Sequence, residues 1–96
     1  MRVETRIFLE FEKNVTRLAG EDEGLALYNE QIKENLNLNG LNIIEFPEQI
    51  ECLSISFVLG MTGQLMKIMT LEEFDKVIQF KGNEDVVFKI KKAMRY

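Results

Sequence analysis

Leu41-Asn42-Ile43-Ile44-Glu45-Phe46-Pro47 is the stretch that decides the fold. It is short, apolar and β-branched, it follows the turn-forming run Asn37-Leu38-Asn39-Gly40, and the chain's only proline closes it. A run of this kind reads as a deeply buried strand, and a proline, which cannot donate to a ladder, ends it. Working toward the N-terminus, Leu25, Tyr28, Ile32 and Leu36 recur at helical spacing. Gly20 stands at the N-cap, Glu21, Asp22 and Glu23 suit the positive end of the helix dipole, and Gly40 or an asparagine is expected as a left-handed cap. Before that helix, Val3, Thr5, Ile7, Leu9 and Phe11 alternate with Arg2, Glu4, Arg6, Glu10 and Glu12, with only Phe8 out of pattern. This is a strand with one face on a core and one in water. Val15 to Leu18 reads as a short return strand.

Working toward the C-terminus, Glu48 to Leu53 is a connector with room for one short extended piece. A helix then runs from Phe57 to Met69, apolar nearly all round, with Ser56 expected as its N-cap. Gly60 and Gly63 lie three apart on it and predict a close backbone approach. Thr70-Leu71-Glu72-Glu73 has the form of a capping box, Val77 to Phe80 reads as a strand, and Lys81-Gly82 ends it. Asn83 caps a last helix, with Val86, Val87, Ile90 and Met94 as its apolar face and Lys89, Lys91, Lys92 and Arg95 toward its negative end. Strand, helix, strand, helix, strand, helix is the order of an α/β domain with a mixed, mainly parallel sheet, helices chiefly on one face and the amphipathic strand near an edge.

The chain has 96 residues, one domain's worth, of which 46% are hydrophobic and 29% charged, so it can build a core. Its net charge of −4 argues against general nucleic-acid binding. Ten acids face five cations in residues 1–48, whereas six face seven in 49–96, so the molecule is dipolar. There is no histidine and a single cysteine, which excludes His-dependent zinc sites, Ser-His-Asp triads and an internal disulfide. No signal-like or membrane-spanning run stands in the sequence, and a lone cysteine with five methionines suits a cytoplasmic location.

No catalytic constellation and no metal or cofactor motif emerges. The acidic run at 21–23 is explained by the helix dipole, and Cys52 reads as an inert, half-buried thiol. Glu45 is a polar candidate, because open α/β sheets place ligand groups at strand ends. Ser54 and Ser56 lie between a strand and an apolar helix, where a phosphate would meet a helix N-terminus.

Several segments together resemble the STAS-like domain of unknown function of small bacterial and prophage-borne proteins, a relative of the anti-sigma-factor antagonist fold. They are Thr16-Arg17-Leu18, Gly24, Ile43-Ile44-Glu45-Phe46, Leu53-Ser54-Ile55-Ser56-Phe57, Gly63-Gln64-Leu65 and Asn83-Glu84-Asp85. The likeness spans about Thr16 to Met94. It implies a compact STAS-like fold and a non-enzymatic regulatory module that binds a protein partner, a sensor ATPase or kinase-like protein or a host protein, through residues 53–69. Ser54, Ser56 and Phe57 are the partner-binding or phospho-acceptor candidates. In the wider superfamily this loop carries an Asp-Ser pair whose serine is phosphorylated. One register puts Ser54 at the aspartate and Ile55 at the acceptor, and a shift of one makes Ser56 the acceptor. The acidic pair that relatives carry after Ser-Phe is replaced here by Val58, Leu59 and Gly60.

Two other functions compete: a phage-encoded inhibitor of a host defence protein, and a nucleotide-binding or enzymatic domain using Glu45 and the serines. The apolar helix 57–69, with the acidic front and basic tail, also predicts a homodimer.

Overall fold

The computed structural model describes residues 3–95, so Arg2 of the alternating strand lies outside the described residues. Its strands are β1 (Glu4–Phe8), β2 (Arg17–Leu18), β3 (Leu41–Glu45), β4 (Cys52–Leu53) and β5 (Ile78–Lys81). Its α-helices are α1 (Glu21–Leu27), α2 (Ile55–Met66), α3 (Leu71–Val77) and α4 (Glu84–Met94). The fold is α/β. The main sheet has the order β1-β3-β5 and a second, two-stranded sheet pairs β2 with β4. Every pairing among the described residues is parallel rather than mixed, and β2 is not a return strand to β1 but the partner of β4.

The isoleucine run takes the centre. Register places Thr5, Asn42 and Ile78 side by side, then Ile7, Ile44 and Phe80, on the core face. The intervening rows, Arg6-Ile43-Gln79 and Phe8-Glu45-Lys81, form the outer face. Phe8 is exposed there while Ile7 and Ile44 are buried, so helices cover one face only. Ile43 is buried on the outer face between Arg6 and Gln79.

Asn42 is fully buried at the head of β3 and fully satisfied. Its Nδ2 donates to the Asn37 and Val77 carbonyls at 2.9 and 3.1 Å, and its Oδ1 accepts from Asn37 N at 2.8 Å. One side chain thus holds the 37–40 turn to the junction of α3 and β5. No residue of that turn has a positive φ, contrary to the expected left-handed cap. Gly40 is instead needed for space, because a Cβ there would collide with the Val3 carbonyl. The first helix also departs from the even spacing of its apolar residues. Beyond Leu27 it widens into a π-type turn over Tyr28–Ile32, then tightens into a 3₁₀ turn over Lys33–Asn35.

Two glycines set the helix layer. A Cβ on Gly24 would run into the Phe57 carbonyl and come within 2.7 Å of Met61 N, and one on Gly60 would run into the Glu21 carbonyl. The backbones of α1 and α2 therefore cross at a distance only glycine allows. Gly63 behaves otherwise: nothing lies within 4 Å of a Cβ placed there, so the predicted close approach holds at Gly60 alone. The caps of the later helices form as expected. Thr70 Oγ1 accepts from Glu73 N at 3.1 Å while the Glu73 carboxylate accepts from Thr70 N at 2.9 Å, and Asn83 Oδ1 accepts from Asp85 N.

Candidate functional site

The small β2–β4 sheet builds the serine loop. Pairing Arg17 with Cys52 and Leu18 with Leu53 brings the entry to α1 beside the entry to α2, and Ser54 N donates to the Leu18 carbonyl at 2.9 Å. Two segments that the sequence separates by more than thirty residues thus share one corner.

Ser54, not Ser56, is the N-cap of α2. Its backbone is extended (φ −87°, ψ 160°) and its Oγ accepts from Phe57 N at 3.1 Å. The helix begins at Ile55, ahead of the apolar run that had pointed to Ser56, because the β4 ladder fixes where the chain turns. Gly20 N, the N-cap amide of α1, also donates to Ser54 Oγ, at 3.3 Å. Two N–H donors occupy both acceptor positions of this hydroxyl. Ser54 and Ser56 Oγ atoms lie 3.0 Å apart. The Ser54 hydrogen therefore goes to Ser56 Oγ, and the Ser56 hydrogen is left for solvent or a ligand. Ser54 is a structural clasp on two helix starts, and Ser56 is the exposed, chemically open hydroxyl.

Phe57 corrects the expectation that it meets a partner. It is 1% exposed and belongs to the core with Val58, Met61 and Leu65, so it anchors the loop from beneath. The side of α2 that does reach solvent presents Ile55 (40% exposed) and Leu59 (50% exposed), one turn apart and beside Ser56. The helix is therefore not exposed all round: most of its apolar surface is core. Cys52 is exposed rather than half-buried.

Glu45 stands apart from the serines. It ends β3 at the rim of a groove of about 650 Å³ whose walls include Phe46, Pro47, Phe80, Lys81, Gly82 and Phe88. No residue from 53 to 57 lines this groove. Its floor is part of a chain of rings, Phe11, Phe46, Phe80 and Phe74, with centroids 6.2–6.4 Å apart. Glu45 and Lys81 are register neighbours on the outer face, yet make no ion pair.

Among the described residues two ionisable groups are perturbed, and both lie elsewhere. Burial raises the Tyr28 phenol, and the backbone and hydroxyl hydrogen bonds from Thr70 lower the Glu73 carboxyl. Among the described residues no cluster of three or more His, Cys, Asp or Glu side chains could hold a metal ion, and no helix is long and apolar enough to cross a membrane. Phe88 was missed by sequence reading. It is 67% exposed on α4, and the available signal was an aromatic residue set among charges on the polar face.

No protein-family model, curated protein or solved structure matches the chain.

Proposed function

We propose that this chain is a non-enzymatic regulatory interaction module of the STAS-like kind, which binds a protein partner through the loop and helix 53–69. The observation that carries the reading is the state of the two serines. Ser54 is committed to two helix starts, and Ser56 presents an open hydroxyl beside the exposed pair Ile55 and Leu59. A hydroxyl beside two apolar side chains is a compact recognition patch, and adding a phosphate or carboxylate there would change its chemistry without removing the cap. Of the two registers, the hydrogen bonding favours Ser56 as the acceptor. The partner is a sensor ATPase or kinase-like regulator in a bacterial cytoplasm; for a prophage-borne copy it is a host defence protein, which the chain would inhibit. Self-association into a homodimer is a separate proposal, independent of the partner loop.

The test is a pull-down from the native host, followed by affinity and melting temperature for Ser56→Asp. The fold should survive, since a carboxylate in the first turn suits the dipole, while binding falls at least tenfold. Unchanged affinity with folding intact would overturn the reading.

The groove beside Glu45 favours one other function, because it lies at the carboxyl ends of parallel strands and has the size of a small-molecule site. Micromolar binding of ATP or GTP, lost in Lys81→Ala, would establish a nucleotide-binding domain instead.

A further inference from the structure

Four of the charges of helix α4 are placed at equal steps either side of Phe88, with opposite signs on the two sides. Glu84 and Asp85 precede that residue by four and three positions, and Lys91 and Lys92 follow it by three and four. Residues three and four apart share a helix face, so both acids and both lysines border the ring. The opposite side of the helix, at Val86, Ile90 and Ala93, is buried. Phe88 itself is the most exposed of the large hydrophobic side chains among the described residues. All four flanking charges are exposed, and none forms an ion pair among the described residues. A hollow bounded by Phe88, Lys91, Lys92 and Arg95 adjoins the ring, with space for a second aromatic side chain.

This arrangement is its own complement. Turn a second α4 antiparallel about a two-fold axis through Phe88, and Glu84 faces Lys92, Asp85 faces Lys91, and ring meets ring. The reverse pairs follow from symmetry, so one contact supplies four opposite-charge meetings and closes as a dimer. A parallel arrangement would set like charges together. We infer that a second copy of this chain docks on α4, as an antiparallel, two-fold homodimer centred on Phe88. The contact leaves Ile55, Ser56 and Leu59 of α2 open, so it goes beyond the partner-binding reading and stands or falls separately from it. One helix pair is a small interface, which makes the dimer weak and dependent on salt.

Sedimentation equilibrium from about 20 µM to about 1 mM at low salt tests it, a range suited to small interfaces. The expected result is a mass rising toward twice the 11.2 kDa monomer, with salt weakening the association. Glu84→Lys with Asp85→Lys, and separately Lys91→Glu with Lys92→Glu, should each weaken self-association at least about tenfold, because every cross-pair becomes repulsive. An equimolar mixture of the two variants should restore the dimer, since all four pairs become attractive again. Phe88→Ser, at an exposed position where folding is not at stake, should abolish the dimer and covers the case in which reversal of the first-turn acids unfolds the helix. A wild-type chain that stays monomeric throughout, or a mixture that fails to associate with both variants folded, overturns the inference. So does a dimer abolished by Ile55→Asp but not by Phe88→Ser, which would place the contact on α2. Loss of partner binding in Ser56→Asp with the dimer intact leaves both readings standing.

Discussion

Gly60 and Gly63 sit three residues apart on α2, and nothing in their immediate sequence tells them apart. At Gly60 the α1 backbone fills the space a side chain would need; at Gly63 there is open space. The difference divides α2 into a side that builds the molecule and a side that faces outward. Both glycines weaken the helix by about 1 kcal/mol relative to alanine, but only one recovers that cost through packing. A residue type chosen for closeness can be recognised only when its neighbour in space is known.

The sharpest way to break this comparison is Gly60→Ala, or Gly24→Ala on the facing helix. A methyl group would meet backbone rather than a movable side chain, so α1 and α2 must separate. We expect a loss of about 3 kcal/mol or more, measured by urea denaturation. Stability within about 0.5 kcal/mol of wild type, where ordinary surface changes fall, would show that the crossing is looser than described. Next in size is Ser54→Ala, which removes the acceptor for Phe57 N and Gly20 N together. It should cost about 1–2 kcal/mol, whereas Ser56→Ala, outside the cap, should stay within about 0.5 kcal/mol. Equal losses at the two serines would erase the distinction drawn between clasp and open hydroxyl. Gly63→Ala should raise stability by about 0.5–1 kcal/mol, because helix propensity improves and nothing is touched. A loss there would mean that α2 has a hidden neighbour on its outward side.

The smallest effect is a pH dependence in the capping box that follows α2. Backbone and hydroxyl hydrogen bonds from Thr70 hold the Glu73 pKa below its ordinary 4.5 in the folded chain. A depressed folded pKa means that the stabilisation is complete above the unfolded value and declines as pH falls through the folded one. Melting temperature measured below pH 4.5 should therefore fall more steeply for the wild type than for Glu73→Gln. Parallel curves would remove the carboxylate from the account of this cap.

Local chemistry alone makes much of the fold legible. The isoleucine run with its closing proline located the central strand, the alternation of the first strand placed it at an edge, and Thr70 and Asn83 declared their caps within four residues. What the sequence hid depends on contacts between distant segments. Ser56 looked like the cap because the apolar run begins beside it, yet the ladder between Leu18 and Leu53 moves the turn and gives the role to Ser54. Phe57 looked available because it follows the serines, although it is core. Asn42, in an apolar strand, gave no sign that it ties a turn to a helix–strand junction 35 residues away. The widening of the first helix has no local marker either, since its apolar spacing runs evenly to Leu36.

The two-residue ladder between β2 and β4 has a consequence for how this corner moves in time. Ser54 N on Leu18 O, Glu51 N on Thr16 O and Gly20 N on Ser54 Oγ close one after another across the same narrow seam. None can open widely while the others hold, so the starts of α1 and α2 form one cooperative unit despite their separation along the chain. Amide protons on both sides of the seam should exchange with solvent at a common rate, and a molecule bound at Ser56 would slow that rate at Gly20 without touching it.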